Sequence, residues 1–286
     1  MSVKKVFLVT GSNRGLGLGT VKMLLNKNIS SNSNNIIITS SRNENKGKEI
    51  LDELIKSFPS QKNNLDYINL DIENMTHIKL AKEYIYDKHG YISFLYNNVG
   101  YFDKSVKKNA DEKEKDIIKT MSINFFSNVL LTETLITLLK SSPKACNNQI
   151  LFAGSLKGQR CFNDSNLNKE FDNWDLSNLE KLYHKYLNSV YENKEEEWNY
   201  KHRNQFGSYG ISKIFLNSYM KNLANRLYNN NIKVNTYNPG WVKTDMGGSK
   251  APLSIEQGVD TIEWIVDNYN NIETGKVYEN RKEALF

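Results

Sequence analysis

The chain has 286 residues, 39% of them hydrophobic and 24% charged, which is enough for one large or two small globular domains, and no apolar run approaches the length of a membrane span. The formal net charge of +6 does not indicate nucleic-acid binding, because lysines alternate with acids, as from Lys107 to Lys119, instead of forming a basic stripe with interleaved aromatic residues. An anionic cofactor is a sufficient partner for so small a positive excess.

The cysteines, the histidines and the first residues bear on the compartment. Two cysteines, Cys146 and Cys161, cannot make a disulfide framework, and the four histidines show no metal-ligand spacing, so we expect no metal site. The apolar run Val6–Val9 passes at once into a glycine turn, which leaves no room for a signal peptide. We therefore expect a cytoplasmic protein in a reducing compartment.

The first predicted element is a strand over residues 3–10, followed by a glycine-rich turn and a helix that starts near Leu16. Glycines let the backbone approach a pyrophosphate closely, and a helix N-terminus presents free N–H groups and a positive dipole to it. The alternative, an ordinary tight turn, accounts less well for a strand-turn-helix unit at this position. The residues predicted to bind a cofactor here are Gly11, Ser12, Asn13, Arg14, Gly15, Leu16 and Gly17.

The second strand, Ile36–Thr39, ends next to Ser41 and Arg42. An NAD-binding unit usually places Asp or Glu about 20 residues beyond the glycine loop, where it bonds the ribose 2′-hydroxyl. Here the cations Arg42 and Arg14 stand near that position, and arginine binds phosphate bidentately. Either arginine alone could be a solvated side chain, but the two together favour a 2′-phosphate and therefore NADP.

Strands and helices alternate through the middle of the chain. The predicted elements are a helix over 45–58, a third strand over 65–70, a helix over 75–88, a fourth strand over 92–96, a long helix over 111–140 and a fifth strand over 149–153. This alternation predicts an α/β fold, a doubly wound parallel sheet of the Rossmann type with about seven strands. Ligands bind such sheets at the carboxyl ends of the strands, and that is where Gly11, Arg42, Asp71, Asn98 and Ser155 fall. An adenine ring could rest there on Asp71 and Ile72.

Asn124 stands in the middle of the long predicted helix, where asparagine is a poor helix former. It could simply be an exposed, mildly unfavourable residue. Its apolar neighbours Ile123, Phe125 and Phe126 instead indicate a buried asparagine that has a functional reason to be there.

Residues 160–205 interrupt the alternation with a polar, acidic and aromatic segment. Apolar residues such as Phe171, Trp174 and Tyr186 recur at helical spacings, which predicts one or two amphipathic helices. We interpret the segment as an insertion within a single domain over 1–286. The remaining predicted elements are a helix over 208–229, a sixth strand over 232–237 that runs into Asn238–Thr244, a helix near 254–268 and a last strand near 276–278.

Tyr209 and Lys213 stand four apart in the first turns of the helix after the insertion, which puts both side chains on one face. A nearby ammonium favours the phenolate, so such a pair can donate a proton to a carbonyl oxygen or take one from an alcohol. Tyr84 and Lys88 share the spacing, but their helix leads into strand four, on the flank of the sheet. Position in the fold therefore favours Tyr209 and Lys213, with Ser155 within reach.

As an ordered set, these residues resemble the short-chain dehydrogenase/reductase family over nearly the whole chain. The set comprises the glycine loop Thr10–Gly17, the turn Asn97–Gly100, the mid-helix Asn124, Ser155 after strand five, Tyr209 with Lys213, and Pro239–Gly240 after strand six. Within the family the chain most resembles the monomeric, NADPH-dependent carbonyl reductases, through Asn124–Phe126, Pro239–Met246 and the long insertion.

The resemblance implies a catalytic set of Asn124, Ser155, Tyr209 and Lys213. Tyr209 would give the proton, Ser155 would bond the carbonyl oxygen, and Lys213 would also bond the nicotinamide ribose. Asn124 would hold a water that connects Lys213 to solvent. Substrate contacts are expected from Ser155, Tyr209 and Trp241. Further cofactor contacts are expected from Asp71, Ile72, Asn98, Gly100, Tyr209, Lys213, Pro239, Gly240, Val242 and Thr244.

The resemblance also implies a monomer, because in the carbonyl reductases a helical insertion covers the face that other members use to dimerise. The chain departs from the family pattern in places. Val99 stands where alanine is usual, Gly154 stands where many relatives have a second serine, and the segment between Trp198 and Tyr209 looks longer. Because that segment should border the substrate, the substrate class is left open.

The sequence thus predicts NADPH-dependent reduction of an aldehyde, ketone or quinone to the alcohol, with no membrane or nucleic-acid partner. The alternative is a catalytically idle NADP-binding protein that senses redox state or binds a partner, but such a protein has no need of the whole catalytic set. A serine hydrolase is disfavoured, because Gly154–Leu156 lacks the first glycine of a Gly-x-Ser-x-Gly elbow.

Overall fold

The computed structural model describes residues 3–105, 109–159, 162, 165–172, 175–192, 194, 198 and 207–285. Cys161 and Trp174 lie outside these described residues. So do residues 199–206, most of the segment between Trp198 and Tyr209 that is expected to border the substrate. The other cysteine, Cys146, is a buried free thiol. Within the described part, no group of three or more His, Cys, Asp or Glu side chains is placed to hold a metal ion.

The described residues contain eight strands, which form one sheet in the order β3-β2-β1-β4-β5-β6-β7-β8. They are β1 Val6–Val9, β2 Ile36–Ser41, β3 Leu65–Asn69, β4 Phe94–Asn97, β5 Gln149–Ala153, β6 Lys233–Tyr237, β7 Val277–Glu279 and β8 Lys282–Ala284. Strands β1 to β7 pair in parallel, which confirms the predicted doubly wound sheet. Strand order reverses between β1 and β4, so the crevice at their carboxyl ends is the expected ligand site.

An eighth strand adds an edge to the predicted sheet of about seven. β8 runs antiparallel to β7 after a turn at Asn280 and Arg281, which both have positive φ. Lys282 and Glu283 are exposed and carry no apolar alternation, and the turn lacks the Asn-Gly pair that signals such a hairpin. Local pattern therefore had no means of indicating this edge strand.

Helices cover both faces of the sheet, as the alternation of its side chains requires. They are α1 Gly15–Ser30, α2 Glu44–Ser57, α3 Met75–His89, α4 Ala110–Met121, α5 Ser127–Lys140, α6 Ser165–Glu170, α7 Leu176–Tyr191, α8 Gly207–Leu227 and α9 Ile255–Asp267. Leu8 and Ile38 point into a core shared with α3, α4, α5 and α8. Phe7, Val9 and Ile37 point into a second core, shared with α1, α2 and α9.

The long helix predicted over 111–140 is interrupted at its centre. Between α4 and α5, Ser122–Phe126 form a π-helical segment, and Asn124 lies inside it, fully buried. A π-helical turn is frequent at functional sites, so it accounts for an asparagine that α-helix propensity disfavours. By length and composition Ala110–Lys140 could cross a membrane, but this is weak evidence, since 61% of its most apolar window is buried inside the protein.

The described part of the insertion packs onto the first core. Phe171 stacks on Phe162, and both contact the ring of Trp198. On α7, Tyr183 meets Phe126 of the π-helical segment edge-on. The predicted amphipathic helices are thus confirmed as two, α6 and α7, which bury their apolar sides against the same core as the sheet.

The second tyrosine–lysine pair joins α3 to the start of β3. Tyr84 donates to Asp66 Oδ1 at 2.8 Å, while Lys88 donates to the Tyr84 hydroxyl at 2.7 Å. Lys88 and His89 also bind the two carboxylate oxygens of Asp66, at 3.0 and 2.7 Å. Burial raises the pKa of Asp66, but the hydrogen bonds from His89, Tyr84 and Lys88 outweigh it and lower that pKa to about 2. The pair lies on the flank of the sheet as predicted, and its bonds to Asp66 give it a structural role.

Acid should therefore remove part of the stability of the fold through Asp66. The pKa of an aspartate in the unfolded chain is about 3.9. The stabilisation from Asp66 is therefore complete above about pH 4 and is lost as the pH falls towards about 2. This loss amounts to about 2 kcal/mol. Between about pH 4 and pH 2, the free energy of unfolding, measured by urea titration, should change by about 2 kcal/mol less in Asp66→Asn than in the wild type. Asp52→Asn, at an exposed position on α2, is the control. An unchanged pH dependence in Asp66→Asn would assign the acid sensitivity to other groups.

Candidate active site at the carboxyl edge of the sheet

The glycine loop between β1 and α1 is shaped by positive φ angles and one close contact. Gly11 has φ +59° and Gly15 has φ +55°, a region that favours glycine. At Gly17 a Cβ would lie 2.6 Å from the Gly11 carbonyl oxygen, so only glycine lets α1 start this close to the loop. Ser12 is fully buried; its N–H donates to Ser40, and its hydroxyl accepts from the Ser40 N–H. Ser12 therefore shapes the loop and does not present its side chain to a ligand.

The first turn of α1 is left without a cap. Its N-cap residue, Arg14, makes no side-chain capping hydrogen bond, and no acidic residue lies in the turn. Helices α2, α3, α4, α7 and α9 are each capped by a side chain, respectively Asn43, Asn74, Asn109, Asp175 and Ser254. N–H groups at an uncapped helix start behind a glycine turn are suited to an anion. The partly exposed Asn13, Gly15 and Leu16 therefore fit the pyrophosphate of a dinucleotide.

The arginines predicted to bind phosphate are both exposed at this edge. Arg42 follows the end of β2. Arg14 Nη1 lies 2.5 Å from Asp245 Oδ2, and both side chains are largely exposed. The sequence pattern does not predict this partner, although Asp245 directly follows the predicted cofactor contact Thr244. An exposed pair of this kind contributes about 0–1 kcal/mol, so a phosphate can take the place of the carboxylate at small cost.

Asn98 holds the glycine loop from the end of β4. Its Nδ2 donates to the carbonyl oxygens of Thr10 at 2.9 Å and Gly11 at 3.2 Å. Its Oδ1 accepts from the hydroxyl of Tyr96 at 3.1 Å. The side chain of Asn98 thus bonds to other parts of the protein, and it would assist cofactor binding by holding the glycine loop in place.

Asp71 and Ile72 lie just after β3 as predicted, but their side chains are differently placed. The Asp71 carboxylate is partly exposed and accepts the N–H of Glu73 at 3.0 Å. Ile72 is 3% exposed and belongs to the core. A contact with an adenine ring would therefore involve the backbone and Asp71, and the Ile72 side chain would take no part in it.

The segment after β6 folds over the glycine loop. Gly240 turns the chain with φ +76°, and Val242 is buried beneath the segment. The Thr244 methyl lies 3.4 Å from where a Cβ would be at Gly15. Trp241 is 55% exposed. Thr244 therefore lies against the predicted pyrophosphate loop, while Trp241 donates its indole N–H to the Gly247 carbonyl, and its expected contact with a substrate stays a prediction.

Asn124 clamps the segment after β4 to α8. Its Oδ1 accepts from the Tyr101 N–H at 2.6 Å, and its Nδ2 donates to the Tyr101 carbonyl at 2.9 Å and to Ser212 Oγ at 3.0 Å. Both N–H groups of the amide are thereby used by the protein. The water relay to Lys213 that the family resemblance implies would have only the remaining lone pair of Oδ1 available on this side chain.

Gly100 marks the point where the site residues converge. A Cβ here would lie 3.5 Å from Asn124 Oδ1, 3.7 Å from Lys213 Nζ and 3.8 Å from Met246 Cε. The backbone of Gly100 does not adopt a positive φ, so room, and not conformation, accounts for glycine. Its missing side chain keeps open the space next to the Lys213 ammonium.

Tyr209, the third residue of α8, faces Ser155 and Phe102. Its ring meets that of Phe102 edge-on, with centroids 5.1 Å apart. Burial raises the pKa of the Tyr209 phenol above its ordinary value, and a hydrogen bond with the Ser155 hydroxyl lowers it by less. The phenol is therefore protonated at neutral pH and lies beside the hydroxyl that would bond a substrate oxygen.

Lys213 is 3% exposed, and its ammonium donates to the carbonyl of Ala153, at the end of β5, at 2.7 Å. Its Nζ lies 5.6 Å from the centroid of the Tyr209 ring, so the two side chains share a face as predicted. Burial lowers the pKa of Lys213 to about 8. Burial sets the net direction of the Tyr209 pKa shift, so the expectation that Lys213 makes the phenol more acidic stays a prediction.

Two departures from the family pattern have local reasons. The Cγ2 of Val99 lies 2.9 Å from where a Cβ would be at Gly11, so the extra branch fills space against the glycine loop. A Cβ at Gly154 would lie 2.3 Å from the Thr236 methyl, which leaves no room for a second serine. Ser155 is then the serine available to a substrate on this strand end.

Similarity to known proteins extends over most of the chain. A family model described as short chain dehydrogenase matches residues 5–165 and 199–253. Carbonyl reductase (NADPH) 1 of Rattus norvegicus is 26% identical over 264 residues, which cover 91% of this chain and 90% of the relative. The (+)-neomenthol dehydrogenase of Arabidopsis thaliana is 28% identical over 276 residues, covering 89% and 88%. Salutaridine reductase from Papaver somniferum shares the fold, with a TM-score of 0.78 at 22% identity over 96% of this chain and 99% of that structure.

Proposed function

Because the chain belongs to the short-chain dehydrogenase family, and is thus an oxidoreductase, we propose that it uses NADPH to reduce an aldehyde, ketone or quinone to the alcohol. The observation that carries the proposal is the convergence of three side chains at the strand ends: Lys213 Nζ lies 5.6 Å from the centroid of the Tyr209 ring, and Lys213 and Asn124 both border the space beside Gly100. A phenol placed beside an ammonium can give its proton to a carbonyl oxygen. Similarity to a protein named carbonyl reductase (NADPH) 1 supports the same reaction.

The carboxyl edge of the sheet fits NADP(H). The uncapped first turn of α1 would hold the pyrophosphate, and the exposed Arg14 and Arg42 would hold the 2′-phosphate. By family resemblance, Lys213 would bond the nicotinamide ribose, next to the space that Gly100 keeps open. When bound, the cofactor supplies the hydride.

The protein's own part is to supply a proton and to stabilise charge on the substrate oxygen. Ser155 donates a hydrogen bond to that oxygen, as a donor in an oxyanion hole does, and the Tyr209 hydroxyl gives it the proton. The phenolate that this leaves is favoured by the Lys213 ammonium nearby. Because the pKa of Lys213 is about 8, this help is present below that pH and is lost above it.

We infer that Phe102, Met246 and Trp241 line the entrance to the Tyr209 hydroxyl. Phe102 meets the Tyr209 ring edge-on, and Met246 Cε lies 3.8 Å from where a Cβ would be at Gly100. The three side chains are exposed at 37%, 38% and 55% respectively, and Phe102 and Trp241 are aromatic. Such faces bind flat apolar carbonyl compounds by burial and stacking. We therefore expect apolar ketones, aldehydes or quinones to be better substrates than sugars.

An NADPH-consumption assay across ketones, aldehydes, quinones and sugars tests the proposal. We expect turnover with at least one class of apolar carbonyl compound and much slower turnover with sugars, because the exposed side chains at the entrance are apolar. Protein that binds NADPH yet consumes it with no member of the panel would contradict the proposal and favour the idle NADP-binding alternative.

We further propose that the protein is a monomer in the cytoplasm. Tyr183 of α7 meets Phe126 with ring centroids 5.1 Å apart, so the insertion packs next to the junction of α4 and α5. By the family resemblance, such an insertion covers the face that other members use to dimerise. Gel filtration at micromolar concentration tests the assembly, and a dimer would contradict it. Fluorescence microscopy of the tagged protein in its own cells tests the compartment.

A further inference from the structure

Helix α4 holds the start of α8 from the side. Ser208, the residue before Tyr209, is 6% exposed, and the chain enters the helix through Gly207 with φ +43°. The Ser208 hydroxyl donates to Asp116 Oδ2 at 2.5 Å and lies 3.4 Å from Thr120 Oγ1. Asp116 thus binds the immediate neighbour of the phenol, although 92 positions separate the two residues in sequence.

The same face of α4 also contacts the segment after β4 that carries Phe102. Lys119 Nζ lies 4.5 Å from the centroid of the Tyr101 ring, and the next residue, Phe102, makes the edge contact with Tyr209. Asp116 and Lys119 are three apart and therefore share one face of the helix. Helix α4 therefore contacts both segments that flank the phenol. Asp116 binds Ser208 at the start of α8, and Lys119 contacts Tyr101 in the segment after β4.

We propose that Asp116 is a positioning residue, which fixes the first turn of α8 so that the Tyr209 hydroxyl stays directed at Ser155. The proposal rests on the proposed function, in which Tyr209 is the proton donor. Asp116 acts through Ser208, whose backbone precedes that of Tyr209. A misplacement of about 1 Å can cost on the order of 10²-fold in rate, and the phenol oxygen, at the far end of its side chain, moves further than the backbone when the turn rotates.

Asp116→Ala tests the proposal, with Asp116→Asn as the conservative partner. In the alanine variant we expect kcat to fall about 10- to 100-fold while the Kd of NADPH, measured by fluorescence titration, stays within about twofold. In Asp116→Asn the amide oxygen can still accept from Ser208, so kcat should return close to that of the wild type. Asp111→Ala removes an exposed acid from the first turn of α4 and should leave kcat unchanged.

A double variant separates this single contact from general damage. Ser208→Ala should reproduce most of the loss in kcat, and Asp116→Ala combined with Ser208→Ala should lose less than the sum of the two single losses, because the two residues share one hydrogen bond. Additive losses, or full activity in Asp116→Ala, would overturn the proposal. So would a fall in NADPH affinity as large as the fall in kcat.

Hydrogen exchange on the cofactor-free protein tests the positioning without any turnover. Amides of residues 211–214 bond to the carbonyls of the first turn of α8, so Asp116→Ala should speed their exchange and leave the rest of α8 unchanged. If the wild type reduces no carbonyl compound but this local acceleration occurs, the proposed function fails and the positioning by Asp116 stands. Unchanged exchange at these amides overturns the positioning itself.

Discussion

Replacing Tyr209 with phenylalanine is expected to lower kcat by about 10³-fold, because a positioned general acid typically contributes about 10²- to 10⁴-fold. The phenyl ring fits the same space and keeps the edge contact with Phe102, so the fold and the cofactor site should be preserved. What disappears is the hydroxyl that bonds Ser155 and carries the proton. Steady-state kinetics with the best substrate of the panel gives kcat, and fluorescence titration gives the Kd of NADPH, which should not change.

Tyr84→Phe is the matched control, since Tyr84 precedes Lys88 by the same interval as Tyr209 precedes Lys213. Its hydroxyl binds Asp66 near the start of β3, so this variant should keep full activity and lose only some thermal stability. Wild-type turnover in Tyr209→Phe would show that the assignment of the proton donor is wrong. Loss of NADPH binding along with turnover would indicate instead that the variant is misfolded.

Removing the positive charge of Arg14 or Arg42 is expected to weaken NADPH binding by about 10- to 100-fold, because a hydrogen bond to a charged group is worth about 1.5–3 kcal/mol. The effect should be specific to the 2′-phosphate, so the Kd of NADH should stay almost unchanged in Arg14→Ala and Arg42→Ala. We expect the smaller loss from Arg14, since its guanidinium must first leave Asp245. Fluorescence titration with both nucleotides measures the four affinities directly.

Arg226→Ala is the control for removal of an arginine as such. Its guanidinium binds Glu133 on α5, on the flank of the sheet, so neither nucleotide should lose affinity. Equal losses for NADPH and NADH in the two site variants would mean that the arginines support the loop and do not read the phosphate. A wild-type preference for NADH would refute the role given to both.

Most of the fold could be predicted because the signals for single elements are local. The apolar run at 149–153 lies between polar loops and is β5 to the residue, and the glycine turn after β1 is followed by α1 as its pattern indicates. Prediction failed where no local signal exists. The strand Lys282–Ala284 is short, polar and exposed, and its place in the sheet comes only from pairing with β7.

The sequence by itself determined that Ser155, like Gly11, Arg42, Asp71 and Asn98, follows the end of a strand, because helix and strand periods repeat over a few residues. That Asn124, Tyr209 and Lys213 join Ser155 in one catalytic set is what the resemblance to the family implies. Only the tertiary structure decided that burial raises the pKa of the Tyr209 phenol and that the Lys213 ammonium is directed at a β5 carbonyl. Only the tertiary structure shows that Arg14 pairs with Asp245, which lies 231 positions further along the chain. Burial and long-range partners depend on how the whole chain packs, so no local pattern indicates them.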